Sequence, residues 1–486
     1  MTWLRAAAFG LLLLVGASQP NAATPDLAPS GWAPGPPIPL TLSPAATTAV
    51  LWSAYLLGAA ALLLGLRGHV QPVRWAVPAT LGAAILWTAP FGSADHLNYL
   101  AYGQIALEGG DPWSESPIAW QGGGDPLASR VEAPWTTQPS VYGPFATLVH
   151  AACAWVGQDN LRVAVWVWQL VVVLAWLGGR ALLRGLLDAE HHGRIDLLWT
   201  LNPLLVGIGV LGAHLDIVAA VLVLLALRAW SWRGGTGVAS AAVAGLAIAL
   251  AEATKFTYAV AVLGILWLAW CRGWDRRASV FVGSAVVGAL LLHVPAGLDS
   301  YVQVLRSGQT VSLAMPWRPL LEGMLALGLP NAIARSVITL GAAALAIGLA
   351  VLLLRATRPV SEGVRPLWIA GMLSAAYAFS ASYSLPWYDP LLWAALPAVV
   401  PSVLDVLATA RLLVIAWAYV PGRVSGMTQG VESLTLGFRR FVAPLLVLAV
   451  WVATVWLLRR AGAPPGGPSA TEPTPARRGP RPATAD

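Results

Sequence analysis

The sequence predicts an all-α, polytopic transmembrane helical bundle of about 13–14 spans with a large first extracytoplasmic loop. Three observations lead there. Of 486 residues, 57% are hydrophobic and 10% charged, against about 25% charged in soluble domains. Apolar runs of about 17–24 residues recur along the chain, long enough for spanning helices and too long for buried strands. The arginines gather in short loops between those runs and at the C-terminus, as cytoplasmic orientation signals do. The net charge of +7 is therefore read as membrane topology, and no nucleic-acid partner is expected.

The elements follow in order. Arg5, an apolar run from Ala6 to Ala17 and the small residues around Ala22 and Ala23 resemble a secretory signal, although a retained first helix fits equally. With the Pro- and Gly-rich linker that follows, residues 1–45 form one region. Residues 46–458 form the transmembrane domain. Its candidate spans are 46–66, 75–91, 161–183, 195–211, 215–232, 237–253, 255–271, 278–295, 331–354, 366–383, 390–409, 411–424 and 441–458, with 3–19 as a further one. Residues 459–486, rich in Pro and Arg, are expected to be a disordered cytoplasmic tail. Cys153 and Cys271 lie in or beside apolar runs; a disulfide could join them, but two buried thiols are expected.

Arg67 with Arg74, Arg180 with Arg184 and Arg194, Arg228 with Arg233, Arg272 with Arg276 and Arg277, and Arg355 with Arg358 and Arg365 mark cytoplasmic loops. Loop 92–142 is the opposite: Asp95, Glu108, Asp111, Glu115, Asp125 and Glu132 face Arg130 alone. It is placed outside. The apolar stretch 142–157 is short for a crossing and would reverse the arginine pattern, so it is read as a re-entrant or interfacial helix. Residues 92–160 then form one extracytoplasmic loop region.

With that topology, the rare polar residues inside apolar sequence gather at one leaflet: Asp95, His214 with Asp216, Lys255 (the only lysine), and Trp387 with Tyr388 and Asp389. Ionisable groups near a membrane are functional candidates. Each has a plainer reading. Asp95 could cap the helix that follows. Tyr99, Tyr102 and Trp113 could be interfacial aromatics, as could Trp387 and Tyr388. Lys255 could snorkel or pair with Glu252. His214 and Asp216, at i and i+2, do not share a helical face, which speaks against a metal pair. No His/Cys metal constellation and no Gly-rich nucleotide loop stands out.

The motifs resemble those of actinobacterial polyprenol-phosphate-mannose-dependent α-(1→6)-mannosyltransferases, of the GT-C class of membrane glycosyltransferases. The likeness runs in order from about residue 75 to 424. It is carried by Asp95 through Gln104, Gly110 through Trp113, Tyr142-Gly143-Pro144, Asn202-Pro203 followed by Gly212 through Asp216, Thr254-Lys255, Met315 through Pro319, and Leu385 through Tyr388 with Trp393 and Pro397. The chain departs from the pattern at Asn98, Trp113, Asp216 and Asp389.

The resemblance implies a GT-C fold, a polyprenyl-phosphate-mannose donor, and a glycan or glycolipid acceptor of the cell envelope. Transfer would occur on the extracytoplasmic face of the cytoplasmic membrane, with inversion and with Asp95 as base. Lys255 and Arg318 are expected at the donor phosphate. Tyr99, Tyr102, Asp111, Trp113, Tyr142, His214, Asp216, Trp387 and Tyr388 are expected at the substrates. No cofactor and no metal is expected, because the phosphate already leaves readily. The rival readings are an enzyme using another polyprenyl-linked sugar such as arabinose, a lipid-linked-sugar flippase, and an envelope scaffold. A flippase predicts polar groups along a midplane path and repeat symmetry.

Overall fold

The computed structural model describes residues 1–461 apart from 20, 28–30, 36–38, 232–236, 298 and 424–425. The expected cytoplasmic tail lies almost wholly outside the described residues, as do Arg233 and parts of the Pro-rich linker. The described chain is helical, with isolated bridges and no strand. Five of its helices are long and apolar enough to cross a membrane: Pro44–Leu66, Leu161–Leu186, Arg276–Ala296, Asn331–Ala356 and Gln429–Arg460. Five shorter apolar helices pack among them, including Thr2–Ala17, Pro144–Gly157 and Val238–Glu252. This is a multi-pass membrane protein.

Helix starts follow local chemistry. Ser43 accepts from the Ala46 amide ahead of Pro44, and Asn160 and Asp275 do the same for the amides of Val163 and Ala278. These side chains satisfy donors that a helix leaves free at its N-terminus. Helices approach closely where the sequence is small. A Cβ on Gly245 would stand 2.3 Å from the Phe281 carbonyl oxygen, so the Val238–Glu252 and Arg276–Ala296 helices pack through bare backbone.

Several expected spans are corrected. The run 195–211 is broken at Asn202, whose side chain accepts from the Leu204 and Leu205 amides while Pro203 opens a new turn. π-turns Asp196–Thr200 and Val206–Val210 flank the break. The runs 390–409 and 411–424 are not two spans. A short helix Pro390–Ala395 ends at Pro397, and Ser402 with Asp405 forms a capping box that starts one helix, Val403–Tyr419. Prolines without an amide proton end the first piece, and the capping pair begins the second. Lys255 stands outside any helix in extended backbone, between Val238–Glu252 and a 3-10 turn, Phe256–Ala261. Cys153 is buried, but Cys271 is exposed, and both are free.

At the end of the bundle away from Asp95, some orientation arginines are structural. Fully buried Arg180 and partly buried Arg184 share Asp196, each at 2.7 Å, and Arg194 holds Asp405 at 2.6 Å.

The signal-like first segment is built into the core. Leu12, Val15 and Ala23 are fully buried. The Ala89 amide donates to the Gly16 carbonyl at 2.9 Å, and the Gly92 amide to the Ala23 carbonyl at 3.0 Å. Cleavage near Ala23 would remove a segment on which the finished core packs. An epitope tag fused ahead of Met1 is accordingly expected to remain with the full-length band of membrane-inserted protein. Its loss by immunoblot would show that the segment is removed.

Candidate active site

Asp95 opens the helix Asp95–Leu107, which lies buried against Pro144–Gly157. The cap position belongs to Ala94, and no side chain caps this helix; the plainer reading of Asp95 as a helix cap is thereby removed. Asp95 is 6% exposed. Burial pushes its carboxyl up to about 7, with the Lys255 charge lowering it and the Asp216 charge raising it. A carboxylate near neutrality accepts a proton far more readily than an exposed one.

His214 stands 3.8 Å from Asp95, measured from Nδ1 to Oδ2. Its Nε2 meets Ser93 Oγ at 3.2 Å and its Nδ1 meets the Tyr99 hydroxyl at 3.2 Å. Either tautomer fills both contacts, since each hydroxyl can donate or accept. The imidazole lies flat on Trp387, centroids 3.8 Å apart and planes at 11°. The residue before it, Ala213, has φ +52, an uncommon conformation for a residue with a Cβ. The Trp168 indole donates to its carbonyl at 2.8 Å. The two together hold the direction of the imidazole that follows.

Asp216 begins the helix Asp216–Ser231 and takes two hydrogen bonds from Lys255 Nζ, at 2.8 and 3.0 Å. The Tyr258 hydroxyl adds a third at 3.2 Å. The same ammonium sits 3.8 Å over the Tyr388 ring, a cation–π contact strengthened by desolvation. Asp389, next in sequence, is buried with Arg411, which also donates to Ser384 and to the Ala378 carbonyl. The loop 386–389 is thus fixed by an ion pair beneath its aromatic surface.

Tyr142 completes the wall, with its ring edge-on to Tyr99 at 4.9 Å. Tyr99 in turn stacks on His150 at 5.1 Å. The next residue, Gly143, ties this wall to the lysine. Its amide donates to the Thr254 carbonyl at 3.2 Å, and a Cβ there would fall 2.2 Å from the Ala253 carbonyl oxygen. Gly143→Ala is expected to cost about 1–3 kcal/mol through overpacking and to displace Lys255. Thermal unfolding in detergent measures it; an unshifted midpoint would contradict the contact.

Other expected site residues hold the loop itself. The Tyr102 hydroxyl donates to the Gln138 carbonyl at 2.8 Å. Asp111 Oδ1 accepts from the Trp113 amide, and the Trp113 indole donates to the Tyr142 carbonyl at 2.8 Å. Two residues take other partners. Arg318 is not drawn into this group: its Nε donates to Glu322, one turn on, at 2.9 Å, and its side chain is 31% exposed. Glu252 does not pair with Lys255 but with His293, at 2.9 Å. Both partners lie where helix geometry sends them, whereas Lys255 sits past the helix end and turns the other way.

Sequence reasoning passed over His150, Tyr258 and Tyr419. Tyr258 follows Lys255 by one short turn, which was a usable signal. Tyr419 stands at an apolar boundary, where tyrosines are ordinary, and His150 lies inside an apolar helix with nothing in its spacing to mark it.

The α-(1→6)-mannopyranosyltransferase N-terminal domain family matches residues 5–272, more than half of the chain. α-(1→6)-Mannopyranosyltransferase B of Corynebacterium glutamicum is 33% identical over 79 residues; that match spans 16% of this chain and 13% of the relative. Two solved structures are similar at low scores. ArnT from Cupriavidus metallidurans, bound to undecaprenyl phosphate, gives a TM-score of 0.42 at 14% identity over 80% of this chain and 77% of that one. The oligosaccharyltransferase AglB from Archaeoglobus fulgidus, with an inhibitory peptide and a dolichol-phosphate, gives 0.31 at 13% identity over 83% and 56%. On the match through residues 5–272, the chain belongs to the α-(1→6)-mannopyranosyltransferase family.

Proposed function

We propose that this protein transfers mannose from a polyprenyl-phosphate-mannose to a hydroxyl of a cell-envelope glycan or glycolipid, on the extracytoplasmic face of the cytoplasmic membrane. One observation carries the reading: Asp95, a carboxylate raised to about 7, shares one end of a membrane bundle with a lysine and a wall of aromatic rings. Family membership supports the sugar.

The chemistry is a single displacement. The acceptor oxygen attacks the anomeric carbon as the bond to the phosphate oxygen breaks. The acceptor proton passes to Asp95, and the anomeric centre inverts. His214, its two ring nitrogens held by Ser93 and Tyr99, orients the acceptor side of the site. Trp387, Tyr388 and Tyr142 offer faces and edges against which a sugar ring packs. Two of the three Lys255 donors are held by Asp216, and the third remains for the departing phosphate.

The test is transfer from polyprenyl-phosphate-mannose, against polyprenyl-phosphate-arabinose, to a short mannoside in membranes bearing the full chain. Transfer of mannose alone is expected. Preference for arabinose would replace the donor, and transfer of neither sugar would remove the proposal.

A further inference from the structure

The last helix, Gln429–Arg460, contains a π-turn at Phe438–Val442. One extra residue in a turn shifts side chains around the axis, and such turns are frequent at functional sites. Here it carries Arg439. The Arg439 Nε donates to the Ala418 carbonyl at 2.6 Å, and its guanidinium lies 4.5 Å over the Tyr419 ring. Tyr419 is held by Ser312 at 2.5 Å and packs edge-on against Trp387 at 6.1 Å. Trp387 is the ring on which His214 stacks. Arg439 therefore stands one aromatic layer behind the Asp95 site.

What sets it apart is its charge. Three other cations close to the site are paired with carboxylates: Lys255 with Asp216, Arg411 with Asp389, Arg423 with Glu132. Among the described residues, no carboxylate pairs with Arg439. It is half-buried, so its charge is partly desolvated with only aromatic faces and a carbonyl for compensation. An uncompensated cation in such a place is costly unless an anion completes it. Its position narrows the anion. Two residues on, the apolar run 441–458 begins, so Arg439 sits at the boundary between greasy and polar surroundings. An anion there beside apolar helix is one with a hydrocarbon tail. The planar fork of an arginine matches the oxygens of a phosphate.

We infer that Arg439 binds the phosphate of the polyprenyl-phosphate donor, and of the lipid phosphate that leaves. The inference rests on the proposed lipid-linked donor, and its test separates the two. Full-length protein in phosphatidylcholine nanodiscs is titrated with decaprenyl phosphate, with decaprenol and with inorganic phosphate, and the midpoint of thermal unfolding and the Kd are read.

Wild type is expected to be stabilised by decaprenyl phosphate alone. R439Q is expected to lose at least tenfold in affinity for it while keeping its ligand-free midpoint, and R318Q is expected to bind as wild type. Wild-type binding with R439Q unchanged would overturn the assignment of Arg439 and leave the lipid-linked donor standing. No preference of wild type for the phosphate over decaprenol would overturn both. Equal stabilisation by inorganic phosphate would overturn the lipid source. If R439Q does not assemble, R439K decides: it keeps the charge but not the fork, so weaker binding is expected, and unchanged affinity would overturn the assignment.

Discussion

Asp95→Asn is expected to lower sugar transfer by about 100- to 10,000-fold, the usual contribution of a general base, with little change in donor binding. The amide fills the same space and takes no proton. The wild-type pH profile should carry the same signature. With the carboxyl at about 7, the proton-accepting form is lost below that value. At low substrate, kcat/KM should fall about tenfold per pH unit on the acid side of neutrality. A limb centred near pH 4 would mean that burial does not govern Asp95.

Stability runs the other way. A carboxyl raised on folding holds its proton more tightly in the folded state than in the unfolded one. Its contribution is therefore fully present below the unfolded value near 4 and is lost as pH rises through about 7. At neutral pH the variant should be no less stable than wild type. A destabilised Asp95→Asn would point to a structural role instead.

Lys255→Met is expected to destabilise the protein by about 3–5 kcal/mol, because it leaves Asp216 buried with its main counter-charge gone. Asp216→Asn should cost less, since the lysine is the more exposed partner and can turn toward water (13% exposed against 2%). The double variant, Lys255→Met with Asp216→Asn, removes both charges and should regain much of the lost stability. Transfer should not return with it if the ammonium also meets the donor phosphate. Unfolding midpoints in detergent and transfer rates for the three variants decide. Recovery of stability and transfer together would make the pair purely structural.

Much of this arrangement was legible in the sequence, for a physical reason. In a chain with so few charges, each ionisable residue at an apolar boundary stands out, so Asp95, His214, Asp216, Lys255 and the Trp387-Tyr388 pair could be seen as a group before any coordinates. What escaped is equally particular. A proline followed by a capping serine looks like interrupted hydropathy, so 390–424 was divided in the wrong place. Arg318 sits in a matching motif, but its nearest carboxylate, Glu322, is four residues away on the same helix and takes it first. Arg439 beside Arg440 looks like a boundary marker until the π-turn separates their directions. Arg440 then reaches toward Glu322, while Arg439 turns to Tyr419.

The bonding of the first segment has a consequence for how the protein is made. The Gly92 amide, three residues before Asp95, is tied to Ala23. Arg423 donates to the carbonyls of Asn21 and Thr24 and pairs with Glu132. Thr24 and Arg423 are 399 residues apart, so nearly the whole chain is synthesised before that knot can close. Contacts of such long range form late. Until Arg423 emerges, the Asp95 loop lacks this tie. A nascent chain therefore cannot close the wall around Asp95 before Trp387 and Arg423 have been made.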